Sequence, residues 1–234
     1  VSKSKPFVKL CGATFLVFNG FQLVASFSFF IIVFYMFSGD YEAAGNWPAW
    51  FSTVTAIVTA FLVIPIISRI ANKWGKREAF IISTAISIIG YILKWWAFDP
   101  DNPLLLFLPV PFMAFGLGGL FTLMMSMTAD VCDLDELKNG MPRKEGTFGA
   151  IYWWMVKLGQ ALALVLGGLV LKLVGFDQNE IVQNAETMTQ LRIADIVIPV
   201  VTASLAIWVM WKYSLDETRA REIKEELVER RGEL

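Results

Sequence analysis

The chain has 234 residues, of which 56% are hydrophobic and 14% aromatic, with a mean hydropathy of +0.57 and a formal net charge of −1. This apolar excess over an ordinary soluble domain reads as an integral membrane protein, and the near-zero charge gives no electrostatic reason to expect nucleic acid or an acidic partner. The absence of histidine excludes histidine-based catalysis, metal binding and proton relay within the chain, and Cys11 and Cys132 lack the spacing of a disulfide framework or a zinc site.

Six apolar stretches of spanning length follow one another, at about 8–37, 48–71, 79–98, 103–128, 147–174 and 191–213, each long enough for the roughly 20 residues a membrane helix needs. Residues 1–214 are therefore expected to form an all-α six-helix transmembrane bundle, and 215–234 a charged tail. The first residue is Val and no signal-peptide pattern precedes the first apolar run, so a fragment or processed piece of a longer chain is expected. Trp47, Trp50, Trp95, Trp96 and Trp211 crowd span ends, where amphipathic rings suit the headgroup level.

Basic residues set the orientation. Lys3, Lys5 and Lys9 precede span one; Arg69, Lys73, Lys76 and Arg77 lie between spans two and three; Lys138, Arg143 and Lys144 lie between four and five; Lys212 and the tail follow span six. The alternate connections, around Asp40 to Glu42, Asp99 to Asp101 and Asp177 to Glu186, are acidic. The positive-inside rule then puts both termini in the cytoplasm, with the inner membrane as the location.

Span one carries Asn19, Gln22 and Ser26 at helical spacing, a stripe that either lines a cavity or hydrogen-bonds a neighbouring helix. Span four holds Pro109, Pro111, Gly116, Gly118 and Gly119, residues expected at kinks and close packing, followed by Phe121 and Thr122, assigned to the cavity. The connection after it spaces Asp130, Asp133 and Glu136 by three, so that on a helix they share a face near Arg143, Lys144 and Glu145. Without histidine and beside basic residues, an ion-pair network fits these carboxylates better than a metal site, and such a network locks one state of a transporter. A second basic cluster, including Arg77, lies between spans two and three.

Span five contains Lys157 inside an otherwise uncharged run from Gly146 to Leu171. A helix starting near Gly146 puts it roughly 16 Å along the axis, near the middle of a hydrocarbon core about 30 Å thick. An ammonium there is expected to face a bundle interior or watery cavity, to find a partner, and to mark a substrate or ion path. The alternative, a head that snorkels to the interface, fits Lys94 and Lys172 near helix ends better. Gly149, Trp153, Lys157 and Gln160 share one stripe, a plate, a cation and an amide suited to a polyhydroxylated ligand, while Gly159, Ala163 and Gly167 form a small-residue ladder for close helix packing. The tail from Asp216 reads as a solvated, charge-laced helix with pairs such as Glu217 and Arg221.

Ala129-Asp130-x-x-Asp133, then Lys138, Arg143-Lys144-Glu145-Gly146, Phe148 and Lys157-x-Gly159 resemble the C-terminal half of the glycoside-pentoside-hexuronide:cation symporters, the melibiose permease-like branch of the major facilitator superfamily. Tyr35-Met-Phe-Ser-Gly39 and Gly75-Lys76-Arg77 fit the same family. The chain departs from the pattern by one extra residue between the acidic run and Arg143. The resemblance implies two six-helix bundles related by an axis normal to the membrane, a ligand between them, and alternating access by rocking. It also implies that Lys157 lies near the central sugar site and that Asp130, Asp133 and Arg143 belong to cytoplasmic charge networks.

The family's cation-coordinating carboxylates lie on the first six helices, which this chain lacks. No cofactor is expected, and a coupling sodium ion or proton is expected to bind mainly in an N-terminal six-helix half, covalent or separate. The reading is a sugar or sugar-acid:cation symporter half rather than an enzyme. Lys157, Trp153, Gln22, Asn19, Phe121 and Gln160 are its cavity residues; Asp130, Asp133, Glu136, Arg143, Glu145 and Arg77 are its gate. The rivals are a lipid or lysophospholipid carrier of the same superfamily and a non-transporting membrane assembly partner.

Overall fold

A computed structural model describes residues 4–140 and 143–232. Val1 and Lys3, counted above at the N-terminus, lie outside the described residues, as do Met141 and Pro142 in the connection after span four and the last two tail residues.

The described chain is helical: α1 (Lys5–Phe30), α2 (Tyr41–Ala44), α3 (Trp47–Val58), α4 (Ile64–Trp74), α5 (Lys76–Ala97), α6 (Val110–Asn139), α7 (Glu145–Leu173), α8 (Ala185–Trp211) and α9 (Glu217–Gly232). Six helical stretches are long and apolar enough to cross a membrane: Lys5–Met36, Tyr41–Trp74, Lys76–Ala97, Pro103–Asn139, Glu145–Leu173 and Ala185–Trp211. The first continues from α1 into a wider π-helical segment, Ile31–Met36, which begins on β-branched Ile31, Ile32 and Val33, side chains that crowd a regular turn. The second is α3 joined to α4 through another π-helical segment, Thr59–Val63. Pro65 explains it, because its ring has no N–H to donate and presses on the carbonyl four residues back, at Phe61.

The fourth stretch runs longer than the expected 103–128. At 30 residues α6 is about 45 Å long, against a hydrocarbon core of about 30 Å, so its last turns protrude and carry the acidic cluster on a helix rather than a loop. The helix is unbroken through its glycines. They serve close approach instead: a Cβ on Gly118 would come within 2.7 Å of Val63, and one on Gly116 within 2.9 Å of Ser87.

At the centre is α1, packed against α6, α7 and α8, while α5 packs on α6 and α8 and the α3–α4 helix lies along α6. The ladder on α7 faces inward as expected: Gly159 lies against Phe15 and Phe18 of α1, and Gly167 against Leu23 and Phe27. Gly75, at φ 98°, turns the chain from α4 into α5 in a conformation that favours glycine.

The tail departs from a solvated extension. Leu215, Ala220, Ile223 and Leu227 are buried, so α9 docks one apolar face under α6. Within α9, ion pairs join Arg219 to Glu222 at 2.8 Å and to Glu226 at 3.5 Å. Cys11 and Cys132 are both buried and free.

Candidate substrate cavity and charge network

The inward face of α7 is filled by Phe148, Tyr152, Val156, Gly159 and Ala163, which leaves Trp153 and Lys157 turned outward on the open side of the bundle. Lys157 stands about 18 Å from the start of a helix about 43 Å long, close to its middle. It is exposed, and among the described residues it has no hydrogen bond or ion pair, so the partner expected for it is not supplied by these six spans. Trp153 is 44% exposed and stacks on Phe121 of α6 with ring centroids 6.3 Å apart, and Phe121 meets Phe18 of α1 edge-on at 6.0 Å. Three helices thus contribute an aromatic shelf beside an unpaired cation.

The remaining cavity candidates separate. Asn19 is buried, and its amide donates a 3.1 Å hydrogen bond to the Gly159 carbonyl. That bond ties α1 to α7, which resolves its two readings towards helix pairing. Gln22 and Gln160 are half-buried. None of the six candidates lines a groove of about 800 Å³ between α1, α3 and α6, walled by Phe21, Ser28, Ser52, Thr55, Thr59 and Met113 among others. Hydroxyls at Ser52, Thr55 and Thr59 donate to carbonyls one turn back, so towards the groove they offer acceptor lone pairs.

At the end of the bundle where α6 protrudes, the acids divide between two partners. Asp133 takes Arg143 at 2.5 Å, and the same guanidinium reaches Glu145 at 3.1 Å and Glu136 at 3.7 Å. Asp130, facing the other way, takes Lys76 at 2.5 Å and Lys224 of the tail at 3.1 Å. Lys144 pairs with Asp135 at 3.2 Å. Partial burial works against the charge on Arg143, but Asp133 and Glu145 outweigh it and hold the guanidinium above its usual range. For Lys224 burial is likewise overcome by Asp130, so its ammonium is held above the ordinary lysine value. Burial first, then the charge of Asp130, push the Tyr213 phenol up.

Arg77 is not part of this cluster. Its guanidinium donates to the Trp211 carbonyl at 2.9 Å, satisfying an otherwise open C-terminal group of α8, and its neighbour Lys76 holds the acid instead.

The structure also overturns the snorkelling reading of Lys94. That side chain is 1% exposed, is paired with Asp195 of α8, donates to Ser28 of α1 at 3.0 Å, and lies 4.8 Å from the Phe98 ring centroid. Nearby, Arg192 is clamped between Tyr35 and Trp95, 4.1 and 4.5 Å from their ring centroids. A signal was available: Lys94 lies four residues before the end of the expected third span and Asp195 four residues after the start of the sixth, which puts opposite charges at matched depth. That α5 and α8 touch is the part no linear pattern carries.

A family model described as MFS/sugar transport protein matches residues 2–217. The glucuronide carrier protein homolog of Escherichia coli K12 is 24% identical over 232 residues, covering 99% of this chain and 49% of that protein. The isoprimeverose transporter of Lactiplantibacillus pentosus is 24% identical over 160 residues, 68% of this chain and 33% of its own. An uncharacterized symporter of Synechocystis is 29% identical over 157 residues, 66% of this chain and 27% of its own. The chain therefore spans about half the length of the first of these relatives, and less of the other two.

Proposed function

Because the chain belongs to the MFS/sugar transport protein family, whose model covers nearly all of its membrane-spanning part, we propose that it is one half, matching the C-terminal half, of a secondary transporter that carries a sugar or sugar acid with sodium or a proton by alternating access. The observation that carries this reading is the unpaired Lys157 beside the Trp153–Phe121 shelf, on an open face at mid-depth of a multi-pass membrane protein. An ammonium is costly at that depth in lipid, so this face calls for a second wall and a watery space between. A six-helix half of the kind that would double this chain to the length of its first relative supplies that wall. Trp153 and Phe121 then stack on the apolar face of a sugar ring while Lys157 and Gln160 meet its oxygens. Gln22 is assigned to the same cavity, whereas Asn19 holds the helix that presents it.

The names of two relatives, a glucuronide carrier homolog and an isoprimeverose transporter, support a sugar rather than a lipid cargo. The basic residues at the α6–α9 end support the inner-membrane orientation with both termini cytoplasmic. In that orientation Asp130, Asp133, Glu136, Arg143 and Glu145 form a latch at the cytoplasmic ends of α6 and α7, with Lys76 in the place first given to Arg77. A latch of this kind biases the two states only if its pairs differ between them. Asp133→Asn is then expected to shift the inward/outward balance more than the affinity within either state, and unchanged interprobe distances in that variant would remove the latch.

The test of the whole reading is reconstitution of the chain in liposomes with and without a co-expressed companion half. Sodium- or proton-driven sugar accumulation is expected only with both halves present, and accumulation by the chain alone overturns it.

A further inference from the structure

At the end of the bundle where α6 protrudes, a cavity of about 780 Å³ opens between the start of α1, the end of α6, the residue before α7 and the start of α9. Four cations line it, Lys5, Lys138, Lys144 and Arg219, against one carboxylate, Asp135. That acid is already engaged: one of its oxygens accepts the Asn139 amide at 2.8 Å and the other takes Lys144 at 3.2 Å. Arg219 leans on Glu222 and Glu226 of its own helix. Lys5 and Lys138 have no ion pair or side-chain hydrogen bond among the described residues. In a chain whose formal net charge is −1, this is a local concentration of positive charge around a concave space.

A lysine at the end of α6 is ordinary, because a cation there answers the open carbonyls of a helix C-terminus. Lys5 is the reverse case. It occupies the first turn of α1, which carries no acidic residue and whose N-cap, Ser4, makes no side-chain hydrogen bond. Its ammonium therefore adds to the positive end of the helix dipole instead of offsetting it, and an anion from outside relieves that repulsion beside open first-turn N–H groups. Leu134 and Leu215, which also line the cavity, are buried and apolar, a low-dielectric wall that focuses the field of the cations. A lining of that kind suits an organic anion with a charged end and a carbon-bearing end. Several cations on four segments exceed what a planar carboxylate with one charge can meet, whereas a phosphate monoester brings close to two charges and three acceptor oxygens.

We propose that this cavity binds an organic phosphate monoester, with Lys5, Lys138 and the first turn of α1 holding the phosphate and Lys144 and Arg219 closing on it from the α7 and α9 sides. Two sources share this chemistry, a soluble sugar phosphate and the headgroup of a phosphomonoester lipid at the membrane edge. In the orientation proposed above, the only part of that reading the site uses, it faces the cytoplasm. Because its lining comes from α1, α6 and α9, occupancy braces the docked tail against the bundle.

The test uses the full chain in nanodiscs of phosphatidylcholine, with glucose 6-phosphate as the soluble probe and phosphatidic acid mixed into the disc as the lipid probe. Calorimetry measures binding of the first, and protection of α9 from trypsin reads both. Lys5→Gln and Lys138→Gln are each expected to weaken the effective probe about tenfold, the loss of one charge-assisted hydrogen bond, while Lys157→Gln on the α7 face leaves it unchanged. Both substituted lysines are exposed and unpaired, so unfolding midpoints should match the wild type and separate loss of the site from loss of the fold. Glucose 6-sulfate, of the same shape with one charge, should bind more weakly than the phosphate. An effect of glucose 6-phosphate alone assigns the site to a soluble ester, and one of phosphatidic acid alone to a lipid headgroup; either upholds the phosphate site. Binding of neither probe, binding indifferent to both lysines, equal binding of sulfate and phosphate, or loss through Lys157→Gln alone overturns it. The sugar-transport reading stands or falls separately, on uptake.

Discussion

Lys157 and Lys94 both lie within membrane-spanning helices, yet Lys157 stands exposed on α7 beside Trp153 while Lys94 is sealed between α1, α5 and α8 against Asp195. Depth alone does not separate them by role. Lys157 is the more central along its helix, and none of the described residues pairs with it. Lys94 is near the end of its helix, where a long side chain ordinarily reaches the headgroups, and it turns inward instead. The difference is one of partners: an acid on the adjoining helix neutralises Lys94 and lets it be buried, whereas Lys157 has no such acid among the described residues.

The contrast is broken most forcefully at the buried pair. Removing one partner leaves an uncompensated charge, so Lys94→Ala is expected to lower unfolding stability by about 3–5 kcal/mol, and Lys94→Met with Asp195→Leu to recover most of that loss. Thermal or denaturant unfolding in detergent measures both. Lys157→Ala should do the reverse: stability unchanged, but sugar uptake by the two-half transporter reduced about 10- to 100-fold, the worth of one charge-assisted hydrogen bond of about 1.5–3 kcal/mol. Equal stability losses in the two alanine variants would erase the distinction.

Asn19→Ala sharpens the boundary between cavity and packing. Its lost bond to the Gly159 carbonyl, with that carbonyl left buried, should cost about 1–3 kcal/mol of stability. A change confined to sugar affinity would return Asn19 to the cavity. The smallest effect is expected at Lys224, which is half exposed and screened by solvent. Its ammonium is held above the ordinary lysine value of 10.5 by Asp130. A cation whose folded value is raised contributes below its unfolded value and loses that contribution as pH climbs through the folded one. Docking of α9, followed by proteolysis or by a spin label on the tail, should therefore be insensitive to pH up to about 10 and loosen above it, and Lys224→Ala should remove that alkaline step.

Much of the bundle was legible in the sequence because lipid imposes strict demands on a single helix. Each span had to be long and apolar, and the spacing of Asp130, Asp133 and Glu136 by three put them on one side of whatever helix carried them. That Trp153 and Lys157 share one stripe and Gly159, Ala163 and Gly167 another followed from the same period, but not that the first stripe is exposed and its lysine without a partner among the described residues. The charge network at the end of α6 was only half legible. Its acids were evident, but Arg77 and Lys76 are adjacent and equally basic, and the choice between them turned on which of the two points at α6 and which at the end of α8. The docked tail was missed because its apolar residues, Ile223 and Leu227, are too few to stand out among its charges.

The sequence by itself determined six membrane-crossing helices, their alternating charged ends and the periodic faces each presents, since length, hydropathy and helical pitch are properties of one segment at a time. Only the tertiary structure decided which segments became neighbours. That α5 lies against α8 turned Lys94 and Asp195 from two costly charges into one pair, and that α9 folds back under α6 gave Asp130 a second cation. The physical reason is range: hydropathy acts on each residue where it stands, whereas an ion pair or an interhelical hydrogen bond exists only within a few ångströms, a distance set by packing between helices far apart in the chain.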